Sequence, residues 1–153
     1  MSSIYHIDLM KRTDVRDKSY SFATRIIKLT QRLPNNIASD SLARQLIKAG
    51  TSIGANVEEA VAAFSQEDFL DKMGLAKKEA MGSKFWLSLI KDTVLIFDPE
   101  VKHWIHEACD PEVKQLIQEA EELTKILSSI VRTSEERFFA RSNGKKEPKI
   151  IRT

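Results

Sequence analysis

The chain reads as an all-α protein, an antiparallel up-down four-helix bundle. Three observations predict it. Apolar residues recur at spacings of three and four through four long segments, the period of a helix with one buried face. Sharp-turn formers are scarce: five Gly and four Pro in 153 residues argue against a sandwich or barrel. Hydrophobic residues at 42% and charged residues at 30% suit one soluble helical domain with a proper core. Each segment is long enough for a bundle, and only the third link is long.

The first helix is expected from about Arg16 to Leu33, after an N-terminal arm of residues 1–15. Phe22, Ile26, Leu29 and Leu33 form its stripe, and Pro34-Asn35-Asn36 stops it, because Pro cannot continue the backbone ladder and Asn favours turns. The second is expected from Ser39 to Phe64, capped by Ser39 or Asp40. Its buried stripe is read as Leu42, Leu46, Ile53, Val57, Ala60 and Phe64. Gly50 and Gly54 each cost a helix interior about 1 kcal/mol against Ala. Close backbone packing is the expected compensation, and a kink the competing reading.

The third helix is expected from Gln66 to Thr93, opened by Ser65 and Asp68 as a variant capping box. Phe69, Met73, Ala76, Ala80, Leu87 and Ile90 form its stripe, with Ser83 as a polar break, while Phe85, Trp86 and Leu89 widen it to a second apolar face. A helix apolar on two faces often touches another subunit as well as its own core. Residues 94–110 read as a connector in which Asp98-Pro99-Glu100 opens a short helix to Glu107 or Ala108. Asp110-Pro111-Glu112 then opens the fourth helix with an N-cap, Pro at the first position and an acid in the first turn. Val113, Leu116, Ile117, Ala120, Leu123, Leu127, Ile130 and Val131 carry its stripe to about Phe138. The bundle spans 16–141, and 142–153 read as a basic, mobile tail.

Net charge is only +2, but its distribution is uneven. Residues 16–33 carry Arg16, Lys18, Arg25, Lys28 and Arg32 against Asp17 alone; the tail is similarly basic; residues 111–139 carry six acids against four bases. Arg25, Lys28 and Arg32 share one face of the first helix, and Arg44 and Lys48 one face of the second. Such rows are usually a solvated surface. Repeated around an oligomer they become a multivalent anion-binding ring, each neutralised phosphate adding affinity through counterion release. Arg25, Lys28, Arg32, Arg44 and Lys48, with Lys145 and Lys146 in the tail, are the candidate nucleic-acid contacts.

Asn56 and Glu59 are neighbours on the second helix. They read as a polar contact site or as a buried polar network, at the core or at an interface, fixing helix register or subunit pairing, and the network is favoured because register is the best-attested use of buried polar groups. Lys72 and Glu79 are candidate partners on the third helix, beside Trp86.

No catalytic constellation is legible, and the chain is expected not to be an enzyme. Ser, His and Asp occur, but nothing places them as a triad. Gly50-Thr51-Ser52-Ile53-Gly54 lacks the P-loop lysine and its preceding strand. His103-x-x-His106-x-x-Cys109 rotates too far on a helix to converge and lacks a fourth ligand. Glu100-x-x-His103 occurs once, where a di-iron bundle needs two such motifs and two further Glu. No metal or cofactor is therefore expected. Cys109 stands alone, which excludes an internal disulfide. The opening MSSIYHIDLMKRTD lacks a long apolar core and no run approaches membrane-spanning length, so the expected location is the cytoplasm.

The runs LARQLIKAGTSIGANVEEA, DFLDKMGLAKKEAMGSKFWLSLI and EAEELTKILSSIVRT resemble the four-helix bundle family of 23S rRNA intervening-sequence proteins. The combination Ser52-Ile53-x-x-Asn56-x-x-Glu59-Ala60, followed by Lys72, Lys77 or Lys78, Glu79 and Trp86, carries the resemblance, which covers roughly Tyr20 to Thr133. It implies an up-down bundle that forms a ring-shaped homopentamer. Some members are encoded inside insertions of bacterial large-subunit rRNA genes. A related branch serves diversity-generating retroelements, binding reverse transcriptase and nucleic acid. The expected function is thus a non-enzymatic oligomeric scaffold engaging structured RNA or DNA, or alternatively a protein-binding adaptor without nucleic-acid contact.

Overall fold

A computed structural model describes the backbone of residues 3–93 and 110–144, with side chains from Asp14 onward. Among these residues are four helices: α1 (Ser3–Thr30), α2 (Ile37–Val61), α3 (Gln66–Thr93) and α4 (Pro111–Ser142). Each packs on the next and α4 packs back on α1, while the diagonal pairs do not meet. This is the four-membered ring of an up-down bundle.

The helix boundaries follow local chemistry. α1 begins at Ser3, well before the expected Arg16. Residues 3–30 contain neither Gly nor Pro, so nothing interrupts the ladder. It ends three residues before Leu33 in tightened turns, with Arg32 N–H on Leu29 O at 3.0 Å and Leu33 N–H on Thr30 O at 3.3 Å. α2 is capped by Asn36 rather than Ser39 or Asp40: extended backbone at Asn36 lets its Oδ1 accept the Ser39 N–H at 2.9 Å. Ser39 is already inside the helix, with its side chain buried. α2 also stops early, at Val61, so Phe64 leaves the expected buried stripe and stands fully exposed in the connector.

α3 has the expected bounds, and Ser65 Oγ accepts the Asp68 N–H at 3.0 Å. Ser83 is fully buried in its stripe, and its hydroxyl donates to Glu79 O at 2.8 Å, which satisfies it locally. α4 starts as expected, with Asp110 accepting the Glu112 N–H at 2.9 Å. It runs to Ser142, where Gly144, at φ +65°, takes the left-handed conformation that ends helices.

The core joins Phe22, Ile26, Leu29, Leu46, Ile53, Val57, Met73, Leu87, Ile90, Leu116 and Leu127 into one cluster. Each large side chain so buried is worth about 1.5–3 kcal/mol. α2 passes Gly50 and Gly54 without a break. A Cβ on Gly50 would lie 3.1 Å from Ile26 Cγ1, and one on Gly54 would lie 3.4 Å from Ser19 Oγ. Gly50 therefore admits α1, as the compensation argument expects, whereas Gly54 leaves room for a methyl group.

Gly50→Leu drives a side chain into Ile26 and is expected to cost about 1–3 kcal/mol. Gly54→Ala makes only ordinary contact and is expected to be neutral or to gain up to about 1 kcal/mol of helix propensity. Urea denaturation of the two variants checks both.

Candidate functional site

Every helix contact in the ring carries ion pairs, but unevenly. Arg16 meets Glu58 at 2.7 Å between α1 and α2; Lys72 meets Glu59 between α2 and α3; Lys84 meets Glu121 at 2.6 Å between α3 and α4. The α1–α4 contact is the least extensive of the four and the richest in charge. Lys18 meets Glu122 at 3.1 Å, Arg25 Nε donates to Glu112 at 2.8 Å while its Nη1 donates to Glu119, and Arg32 meets Asp110 at 3.3 Å. Lys18, Arg25 and Arg32 are seven residues apart, as are Glu112 and Glu119. Seven residues is close to two helical turns, so each set forms a row, and the rows face each other.

Arg25 is the centre of this seam. Its side chain is 24% exposed, against 32% for Glu112 and 28% for Glu119. Its hydrogen bond, reinforced by its charge and that of Arg32, holds the Glu112 carboxyl below the usual carboxylate range although partial burial pushes the other way. The same bond to Glu112, together with Glu119, raises Arg25 above its ordinary value.

The candidate nucleic-acid contacts therefore divide. Arg25, expected on a solvent-facing row, is instead a half-buried tie to α4, and Arg32 is also engaged there. Lys28 is exposed and has no partner among the described residues. Arg44 and Lys48 are likewise exposed and unpaired there, on the side of α2 opposite its buried stripe. Lys145 and Lys146 lie outside the described residues, as do His103, His106, Cys109 and the short helix expected in the connector. The sequence signal for the seam was available in the matching seven-residue spacings of opposite charge on the first and fourth helices.

Among the described residues of one chain, Asn56 and Glu59 do not join in a buried network. Asn56 Nδ2 donates to Ser52 O at 2.8 Å, a local bond. Glu59 sits on the shoulder of α2, 56% exposed, where it reaches Lys72 rather than Asn56. The pair is exposed and screened by solvent, so Glu59→Ala is not the core lesion that the network required. Glu79 is half-buried, with no carboxylate partner among the described residues. Trp86 rests against the core and meets Phe85 edge-on at 4.9 Å.

A second feature is the outward face of α3. Its buried stripe already fills the core, yet Leu75, Met81 and Phe85 are exposed and Trp86 and Leu89 half-exposed. Gly74 and Gly82 share this face, and a Cβ on either would meet nothing within 4 Å. Among the described residues no three His, Cys, Asp or Glu side chains gather as a metal site would require, and no helix is long and apolar enough to cross a membrane.

These features define a four-helix bundle closed by a charge seam, with one apolar helix face left outside its core. The chain belongs to the 23S rRNA-intervening sequence protein family, whose model matches residues 11–129. It is similar to a crystal structure at 1.70 Å of a protein with unknown function from the S23 ribosomal protein family of Bacteroides thetaiotaomicron VPI-5482. The two are 33% identical, the match covers 80% of this chain and 98% of that one, and the TM-score is 0.63. Among curated proteins no match was found.

Arg25→Gln is expected to cost about 1–2 kcal/mol, because it strands two half-buried carboxylates. The parent's stability should also fall on acidification. A carboxyl whose folded value is depressed contributes stability above its unfolded value, near 4.3, and loses it as pH falls through the folded one. Arg25→Gln should flatten this acid dependence. Urea titrations from neutral pH down through the carboxylate range check both effects.

Proposed function

We propose that the chain is a non-enzymatic, self-associating scaffold whose copies assemble through the outer face of α3 and present exposed bases to nucleic-acid backbone. The observation that carries the reading is that apolar face. Met81, Phe85 and Leu89 add nothing the core lacks, and contiguous apolar surface rimmed by polar residues marks interaction sites. The two glycines support it. Within one chain Gly74 and Gly82 cost α3 about 1 kcal/mol each with no packing return, and a neighbouring copy approaching closely would supply one. The family resemblance points to five copies, working in the cytoplasm.

Arg44 and Lys48 make a small patch in a single chain. Repeated around a ring they act together through effective concentration, so weak contacts add to useful affinity. Phosphate contacts of this kind position RNA or DNA without reading its sequence. A second reading, an adaptor for a protein partner, is favoured by one observation: two of the three bases that the nucleic-acid reading used are engaged within the chain, Arg25 by Glu112 of α4 and Arg32, just after α1, by the α4 N-cap Asp110.

Light scattering at micromolar concentration should find an oligomer that Met81→Lys with Phe85→Lys dissociates without unfolding; a monomeric parent would sink the scaffold reading. Gly82→Ala should raise helix stability while weakening assembly. Arg44→Gln with Lys48→Gln should reduce RNA retention in gel shifts at low salt with the melting temperature unchanged. A parent that retains no RNA even at low salt would favour the adaptor.

A further inference from the structure

The α1 flank that faces α4 is a continuous basic row, Lys18, Arg25, Lys28 and Arg32, and it would be the strongest anion-binding element in the chain were it bare. It is not bare. Asp110, Glu112, Glu119 and Glu122 face it, four acids against four bases, so the seam is neutral as a whole. The acids occupy the positions that phosphates would take: carboxylate oxygens lie 2.8 Å from Arg25 Nε and 3.1 Å from Lys18 Nζ. Arg25 engages two of them at once, as it would two phosphate oxygens.

We infer that the acidic row of α4 is an intramolecular competitor that masks the basic row of α1 from polyanions. The inference rests on the nucleic-acid reading for its biological use, but the masking itself concerns only this chain's charges. α4 is held by its own buried stripe, Val113, Leu116, Ala120, Leu123 and Leu127, so a polyanion cannot displace it without opening the core. Of the row, only Lys28 has no acid partner among the described residues. Among the described candidate contacts, nucleic acid is thereby left with Lys28 and the outward side of α2, and binding there stays weak and local on each copy. The device sets affinity by subtraction: removing an acid releases a base already in place.

The test uses the full chain and a short RNA duplex. Glu112→Gln, Glu119→Gln and Glu122→Gln together release Arg25 and Lys18 while leaving amides that can still accept their hydrogen bonds. Each released cation should steepen the plot of log affinity against log salt by about one unit. The triple variant should therefore steepen it by about two, losing about tenfold more affinity than the parent between ~50 and ~200 mM salt. A control with the same change in net charge away from the seam, Glu67→Gln with Glu135→Gln and Glu136→Gln, should keep the parental slope. Should the triple variant fail to fold, Glu122→Gln alone carries the test: its carboxylate is 56% exposed, and it should add about one unit. If the parent binds and the seam variants keep its slope, or the control steepens equally, masking is overturned while the nucleic-acid reading stands. If the parent does not bind and the seam variant does, masking stands and the parental nucleic-acid function falls. If neither binds, both fall.

Discussion

The closure of α1 on α4 is the interaction on which the rest of this bundle depends. Three of the four helix contacts join elements that follow each other in sequence, whereas α1 and α4 must find each other from opposite ends of the chain. Loop-closure entropy is the cost of bringing such distant segments together. Their contact is the least extensive in the ring, and charge supplements it. Arg25 reaches two carboxylates on successive turns of α4, and Lys18 and Arg32 extend the match on either side. Because Arg25, Glu112 and Glu119 are partly shielded from water, removing one of them costs more than the pair itself contributes.

That closure decides which surfaces remain for function. It pairs most of the basic row of α1 with acids, shielding Arg25 in part, and leaves Lys28 beside it and Arg44 and Lys48 on the far side of α2 without an acid partner among the described residues. Across the ring from α1, the outer face of α3 stays exposed, with no partner helix among the described residues. Assembly and anion contact would thus fall on different helices, and a ring of copies could present one while using the other.

Most of the fold was legible in the sequence because periodicity and capping chemistry are local. Ser65 with Asp68 marked the start of α3, Asp110-Pro111-Glu112 marked the start of α4, and the stripe from Phe69 to Ile90 is buried as spaced. Errors came where two local signals competed. Asn36 and Ser39 are both good caps, and Asn36, with its extended backbone, is the one that accepts the Ser39 N–H. Phe64 continued the spacing of the α2 stripe, but the helix had already ended. The seam was harder to read. A base on a helix looks the same in sequence whether it meets water or the acid of a neighbour eighty or more residues away. Glu59 pairs with Lys72 as expected but is not buried, for a related reason: a polar residue at the shoulder of a stripe lies close to buried positions without being buried.

The most direct test of this account is a double-mutant cycle across the seam, pairing Arg25→Gln with the combined change of Glu112→Gln and Glu119→Gln, with unfolding free energies measured in urea. Groups in one ion-pair network couple by about 0.5–3 kcal/mol. The account predicts a coupling of about 1 kcal/mol or more, with Arg25→Gln losing most of its cost once the acids are already gone. Strict additivity would contradict it, since Arg25 would then contribute to the fold without its partners on α4.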